Sequence, residues 1–555
     1  MKADRLYSSL KLKYIGQGWR THHQDLVKYI QPRRGRFLTT DRFTSGQKKD
    51  EFINNNVATM ASNTLRAGLH SGVTSSARPW FKLTTHDPAL NELDVVKLWL
   101  ADAERITQGV IAKSSFYLRI EELYGDVGDF GTGAFYIEQD DEEYIRCWVF
   151  PIGSYFVANG PKGTVDTIIR ETSMTCDELV RKFGFENCCL QVQLAYKRAD
   201  LYLDFDIVHA IVPNTGFIPG AIGTRGKKWL SLWWEAPRRP DEDFLHVGGY
   251  DYFPVMVPRW QVTGVDCYGS SPGMTALADV RALQHLEVQA MGLVDKQVNP
   301  PMNVPASMRG QQASLLPGAE NYIRGPGEKM EPAVIVDPRA GQAVATEIAR
   351  HEQRIRTAYF ADLFRLLEML QQQGQGQMTA YEVQQRISEK MQQLGPAYER
   401  LEEELLDPAL DAIMHLCLEQ FLYPPMPREL AGAEIKVEYT SIVAQAQKAS
   451  VLGSVKELLA LVGSIVGEDK DVLDLVDFDT VVRDYSEKLG NPPKYLRDPD
   501  VVSQMRAEKA KVMQEQQQQQ QAMMQMQGAK TLADIDTTKP SALTQLLGPT
   551  GHGIG

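Results

Sequence analysis

The spacing of apolar and polar positions changes character several times along the chain. Residues 1 to about 125 read as helical, and within Leu93–Ile120 the apolar Val96, Leu100, Ala103 and Val110 recur at helical steps. Gly72 to Pro79 punctuates that region. From about 126 to 260 the helical period gives way to short β-rich runs: Ala134 to Glu138, Cys147 to Phe150, Thr167 to Arg170 and Leu201 to Val212. Gly, Pro, Asn and Asp clusters separate them, which predicts a mixed or antiparallel β region.

Ser271 followed by Pro272 predicts a capped helix start, because Ser accepts from an orphan N–H and Pro is preset for the first helical position. The helix carries Val280, Leu283, Leu286, Ala290 and Leu293 and should end before Asn299-Pro300-Pro301. Residues 299 to 341 then hold seven prolines and five glycines, too many for a long helix. A second helix is expected over 342–370, striped by Val344, Ile348, Ile355, Tyr359, Leu363, Leu366 and Leu370 and roughly 43 Å long at ~1.5 Å per residue. Gln371, Gln372, Gln373, Gly374, Gln375, Gly376 and Gln377 follow, with no charge and no apolar anchor, and read as a mobile polar loop. Thr379 and Glu382 have capping-box spacing for a third helix, striped by Val383, Ile387, Met391, Leu394, Tyr398, Leu401 and Leu405, with a kink expected at Gly395-Pro396. A smaller region, 422–498, combines a strand at Ile435 to Tyr439 with helices; beyond it lie a Gln-rich helix-permissive stretch and a tail that reads as disordered. The whole is an α+β, multidomain chain.

Composition narrows the function. With 555 residues and 43% apolar content, the chain can build several real cores. Lys plus Arg number 59 against 71 for Asp plus Glu, a net charge of −12, which argues against coating DNA through positive charge. The longest run free of Asp, Glu, Lys and Arg, Ile207–Thr224, is broken by Pro213, Gly216, Pro219, Gly220 and Gly223 and reads as a loop between strands, not a membrane span. The first twelve residues carry Lys2, Asp4, Arg5 and Lys11 and no apolar run, so a secretory signal is not expected and the chain should stay in the cytoplasm where it is made. Six cysteines without metal-ligand spacing read as reduced thiols, the adjacent Cys188 and Cys189 included.

Apparent catalytic motifs have plainer readings. Gly269-Ser270-Ser271-Pro272-Gly273 fits G-x-S-x-G, but the residue after the nucleophile would have to supply an oxyanion N–H, and Pro272 has none. Arg225-Gly226-Lys227-Lys228 resembles the end of a phosphate loop, yet Ala221 stands where its first Gly belongs and no Ser or Thr follows the Lys. His351-Glu352 lacks a second His at 355 and reads as a solvated helix face; Glu138, Asp140, Asp141, Glu142 and Glu143 read as a solvated hairpin tip. No enzyme, metal or cofactor is expected.

Several blocks, in order, resemble the portal or head-to-tail connector proteins of short-tailed bacteriophages. They are Asn54-Asn55-Asn56 through Met60-Ala61-Ser62, Leu65-Arg66-Ala67-Gly68-Leu69, Arg78-Pro79-Trp80-Phe81 and Phe130-Gly131-Thr132-Gly133-Ala134. Further on come Val257-Pro258-Arg259-Trp260, Tyr268 to Gly273, Met378 to Val383, Glu389-Lys390 and Leu394-Gly395-Pro396. The resemblance implies a wing over 1–270, a first stem helix over 271–298 capped by Ser271 and Pro272, and a clip over 299–341. In the clip, Pro300, Pro301, Pro305, Tyr322 and Arg324 would serve docking. It also implies a second stem helix over 342–370, a channel loop over 371–377, a linking helix over 378–421, a crown over 422–498 and a tail over 499–555. The function implied is a ring of twelve copies at one capsid vertex of the virion, put together in the host cytoplasm. Double-stranded DNA would pass through it, and its partners would be the terminase large subunit, tail adaptors, and major capsid and scaffolding proteins. A tail adaptor ring or a nucleic-acid enzyme is the alternative.

Overall fold

The computed structural model describes residues 3–37, 48–91, 93–236, 244–306, 329–335, 337–364 and 393–441, with short pieces at 309, 314, 325, 443, 461–462, 477–482, 501–509, 511–512 and 523–524. Contacts divide the chain into two units, 1–455 and 456–555. In the second unit Arg506 pairs with Asp479. The helices and strands named here all belong to the first.

Helices α1 (Ala3–Gly16), α2 (Trp19–Tyr29) and α3 (Val57–Val73) open the fold. Helix α3 buries Ala58, Ala61, Leu65 and Leu69, the i, i+3/i+4 face that its sequence provides. The strand β1 (Phe81–Thr85) then interrupts the region read as helical. Its alternation of buried Phe81, Leu83 and Thr85 with more exposed Lys82 and Thr84 is the strand period. After the single turn α4 (Pro88–Asn91) come α5 (Asp94–Lys113) and α6 (Phe116–Phe130). The run expected over Leu93–Ile120 is thus two helices, parted at Ser114 and Ser115, where the Ser114 hydroxyl takes the Phe116 N–H.

Two antiparallel sheets come next. β2 (Phe135–Asp140), β3 (Tyr144–Val149) and the short β9 (Val255–Met256) are ordered β3-β2-β9, whereas β4 (Tyr155–Asn159), β5 (Val165–Thr175), β6 (Asp204–Pro213), β7 (Trp229–Glu235) and β8 (His246–Tyr250) are paired in chain order. The uncharged run Ile207–Thr224 is therefore strand as far as Pro213 and loop only afterwards. Helices α7 (Cys176–Phe183) and α8 (Leu190–Lys197), carried between β5 and β6, close a small second core around Cys176, Leu179, Val192 and Trp233.

Helix α9 (Pro272–Val298) packs along α10 (Pro338–Ala358). At their far ends β10 (Met302–Asn303) pairs with β11 (Glu331–Pro332), and the Ala333 N–H reaches Pro301 O at 2.6 Å. The second long helix differs from its expectation at both ends. It begins at Pro338, because Asp337 accepts the Arg339 N–H as a cap, and it ends at Ala358, about 32 Å along, where Phe360 turns into the left-handed region at φ 54. Residues 393–401 are helical, and a π turn at Glu402–Leu406 leads from them into α11 (Asp407–Glu419). Pro408, which has no N–H to give, accounts for a disturbed ladder at that point.

The strand expected at Ile435–Tyr439 is β12, and its partner is β1, in the register Phe81↔Tyr439 to Thr85↔Ile435. Trp80 lies buried beside this pair, its ring parallel to that of Tyr439. Residues 435–439 are thereby tied to the first hundred residues of the chain.

Candidate functional site

The two long helices leave the body at a junction built around a buried carboxylate. Asp129, in the last turn of α6, accepts from Ser62 Oγ at 2.7 Å through one oxygen and from Tyr359 OH at 2.8 Å through the other. Ser62 belongs to α3 and Tyr359 caps α10, so a single side chain joins three helices. Burial is the main reason its carboxyl is pushed up to about 7, with the two hydroxyl donors pulling the other way.

The start of α9 docks on the same residue. Ser271 Oγ donates to Asp129 O at 2.8 Å and accepts the Met274 N–H at 2.9 Å, so its hydroxyl is used once as donor and once as cap. Gly273 lies so close to α6 that a Cβ there would stand 2.5 Å from Asp129 O. No histidine among the described residues is bonded to Ser271, and its proton is committed to a backbone carbonyl. This is a splice between α6 and α9, not a nucleophile with its base.

A second tie is ionic. Arg259 and Glu404 are almost fully buried, with side chains 3% and 8% exposed. Arg259 reaches Glu404 through Nη2 at 2.6 Å, Nε at 3.1 Å and its backbone N–H at 3.0 Å, and gives its remaining donors to Asp266 O and Gly163 O. Glu404 sits in the π turn, and Arg400 reaches it from one turn back. A third tie holds the helix pair: Gln284 of α9 accepts the N–H groups of Asn54 and Asn55, while Asn55 Nδ2 donates to Glu287 of α9 and Glu352 of α10. His351, expected on a solvated face, is instead half-buried against Asp279 of α9 at 2.8 Å, because the two helices pack there.

Beyond these ties the pair offers an apolar surface. Val288, Met291, Val294 and Val298 of α9, spaced 3, 3 and 4 apart and so on one face, are all exposed, Val298 by 70%. A charged or polar stripe would be the ordinary choice for a helix ending in water.

The remaining residues singled out in the sequence are scattered. Pro300, Pro301 and Pro305 flank the β10–β11 pair, while Tyr322, Arg324 and all of Gln371–Gln377 lie outside the described residues. Gly226 and Lys227 line an open pocket with Gly220, Gly223, Gly249 and Asp251. Lys227 is paired with Asp251 at 2.5 Å and so is not presented to a phosphate. Asp251, His415 and Glu419 each offer a donor atom, all within 4.8 Å of one another. Lys227 already brings the positive charge to that group, and Glu419 is exposed. The acidic segment is the β2–β3 hairpin tip, where Asp140 accepts the N–H groups of Glu142 and Glu143. None of the six cysteines is in a disulfide, and no described helix is long and apolar enough to cross a membrane.

Sequence reasoning placed Tyr359 only in an apolar stripe and Arg259 only in a family block, and it missed Asp129 and Glu404. The available signal was a charge inside an apolar block, as in Val257-Pro258-Arg259-Trp260 and in Val127-Gly128-Asp129-Phe130.

A body of helices and antiparallel sheets from which one packed helix pair projects is the class of architecture the site defines. Residues 2–496 match the family described as bacteriophage head to tail connecting protein, and the chain belongs to that family. It is 36% identical over 552 residues to the portal protein of Salmonella phage epsilon15, covering 99% of this chain and 98% of that protein. It is 35% identical over 538 residues to the probable portal protein of Bordetella phage BPP-1, covering 97% of this chain and 96% of that protein. A solved virion of a native gene transfer agent particle aligns over 79% of this chain and 91% of that chain, at 12% identity and a TM-score of 0.33, too slight a likeness to carry an argument.

Proposed function

We propose that the protein is a phage portal subunit: copies of it, twelve in the expected ring, sit at one capsid vertex of the virion and form the conduit for DNA entering and leaving the head. The observation that carries this is the near end-to-end match to two phage portal proteins at about 35% identity. The exposed face of Val288, Met291, Val294 and Val298 supports it, because a neighbouring copy would take that apolar surface out of water. In this reading α9 and α10 are the stem, and the segment between them is the clip that meets the terminase large subunit and later the tail adaptor. The uncharged Gln371–Gln377 lines the channel, where neutral amides exchange hydrogen bonds with passing phosphates and add no ionic attachment. The crown is drawn from the part of 422–498 that follows β12, since residues 435–439 pair with β1 in the body, and capsid and scaffolding proteins meet the outer body. The subunit performs no catalysis.

Electron microscopy of the purified full chain tests the assembly, with closed rings around a central opening as the expected result. Sedimentation as a 62.3 kDa monomer alone, across salt and protein concentrations that span assembly conditions, would overturn it.

A further inference from the structure

The sequence of the second long helix and its structure disagree at one point. From Gln342 to Leu370 there is no Gly or Pro, and the apolar stripe runs unbroken through Ile355, Tyr359, Leu363 and Leu366. Local sequence therefore favours one continuous helix. The structure instead stops α10 at Ala358 and places Phe360, a bulky residue with a Cβ, at φ 54, before helix resumes over 361–364. Such a conformation costs free energy for any residue but glycine and persists only where its surroundings hold it.

The Phe360 ring packs against Trp260, and contacts on both sides of the bend hold it. On the near side, Tyr359 OH donates to the buried Asp129 carboxylate at 2.8 Å. On the far side, Leu363 and Phe364 are buried, and the Phe364 ring sits so tightly over Gly68 of α3 that a Cβ there would lie 2.2 Å from it. A helix running straight on from Ala358 would take residue 360 out of the left-handed region and redirect Leu363 and Phe364, so it cannot keep them in that seat. Local preference and tertiary contact thus pull toward different arrangements, which is the condition for a two-position element.

We propose that Tyr359–Phe360 is a joint latched by Asp129: with the Tyr359–Asp129 bond made, the helix is bent and Phe364 is seated on Gly68, and with the bond released the helix straightens and Phe364 leaves its seat. The body and α9 need not move, since Ser271 splices α9 to α6 separately. Neither contact depends on the portal reading.

Hydroxyl-radical footprinting of the purified full chain, read by mass spectrometry at Leu363 and Phe364, tests it. Ile120, Leu123 and Phe130, all fully buried, serve as core references. Tyr359→Phe keeps the ring and removes only the latch bond. It should raise labelling of Leu363 and Phe364 about tenfold, the equivalent of about 1.4 kcal/mol in the joint's equilibrium, with the core references unchanged. Adding Phe360→Gly removes the cost of the bend along with the ring contact to Trp260, and with Phe360→Leu, which keeps the cost of the bend, as the comparison, the glycine variant should bring labelling back toward wild type. Unchanged labelling in Tyr359→Phe would overturn the latch. A parallel rise at the core references would make Tyr359 an ordinary packing residue and overturn it as well. A local rise that Phe360→Gly fails to reverse would overturn the claim that strain at Phe360 opposes the seat.

Discussion

Replacing Arg259 by Met should be among the most damaging single changes in the body. Methionine fills much of the same space but removes Nη2 and Nε from Glu404, leaving that carboxylate buried with only Arg400 and one backbone N–H; Asp266 O keeps its bond from Asn159 Nδ2 and Gly163 is exposed, so the cost falls on Glu404. Breaking a buried pair by deleting one partner costs about 3–5 kcal/mol, most of it the penalty of the charge left behind. Arg400 lies 3.1 Å from Glu404 and offsets part of that, which places the expected loss near ~3 kcal/mol. Glu404→Met should cost a similar amount for the mirror reason. The double change Arg259→Met with Glu404→Met should fall well short of the sum, because no charge is left stranded, giving a coupling of roughly 2–3 kcal/mol. Urea unfolding at low protein concentration, followed by tryptophan fluorescence, is a suitable assay, since all eight tryptophans lie between Trp19 and Trp260 and report on the body. A loss under ~1 kcal/mol in Arg259→Met, or additivity of the two single changes, would refute the reasoning.

Ser271→Ala should cost ~0.5–2 kcal/mol through the lost cap, and the wild-type protein should show no adduct at Ser271 by mass spectrometry after treatment with a serine-directed acylating reagent. Gly273→Ala should destabilise by ~1–3 kcal/mol or more in the same urea assay, because its Cβ meets backbone atoms of Asp129 that cannot swing aside; a neutral result would mean that α9 is not docked as described. Asp129 keeps its proton in the folded chain up to about 7 but loses it near about 4 when unfolded, so it withdraws stability as pH rises across that interval. The Asn side chain cannot ionise, and Asp129→Asn should therefore gain on wild type by up to ~4 kcal/mol from pH ~4 to ~7. The difference is the quantity to measure, because His23, kept neutral by burial down to about 3, contributes the opposite slope in both proteins; a flat difference would refute the assignment. Changing Gln373, Gln375 and Gln377 to Lys should leave ring assembly intact and slow DNA transport more in low salt than in high salt, and transport unaltered at every salt concentration would place that loop away from the channel.

How much of the structure could be read from the sequence depends on the range of the interactions involved. Helix α9 was legible to the residue at both ends because its signals are local: Ser271 and Pro272 act within the first turn, and the Asn299-Pro300-Pro301 run stops the helix where it stands. β5 and β6 of the large sheet and β2 and β3 of the smaller one were legible as apolar runs for the same reason, whereas β4, β7 and β8 were not picked out. β1 was within reach, since Phe81, Leu83 and Thr85 alternate with Lys82 and Thr84, but five residues in a helical neighbourhood are a weak period, and what makes them a strand is β12, more than 350 positions away. The end of α10 had no local signal at all. Its stripe continues and no breaker intervenes, and the bend exists because Asp129 and Gly68, both distant in sequence, hold Tyr359 and Phe364.

The same distinction explains why motif reading pointed away from the chain's own chemistry. Gly269 to Gly273 carries the outline of a nucleophile elbow because both structures need a sharp entry into a helix, a small residue for close approach and a hydroxyl near an N-terminus. What separates them is where the hydroxyl proton goes, and here it goes to Asp129 O. The body's charged ties, Asp129, Arg259 and Glu404, are buried polar groups whose value depends on partners supplied by other segments. Such groups fix how rigid pieces join: Asp129 where α6, α3, α9 and α10 come together, and Arg259–Glu404 where the segment after β9 meets the π turn. A change at Asp129 should first alter how the helix pair is held to the body, and one at Arg259 or Glu404 should first loosen the body itself. The Arg259–Glu404 cycle therefore tests a tie within the body, and the Tyr359 footprint tests the joint at Asp129.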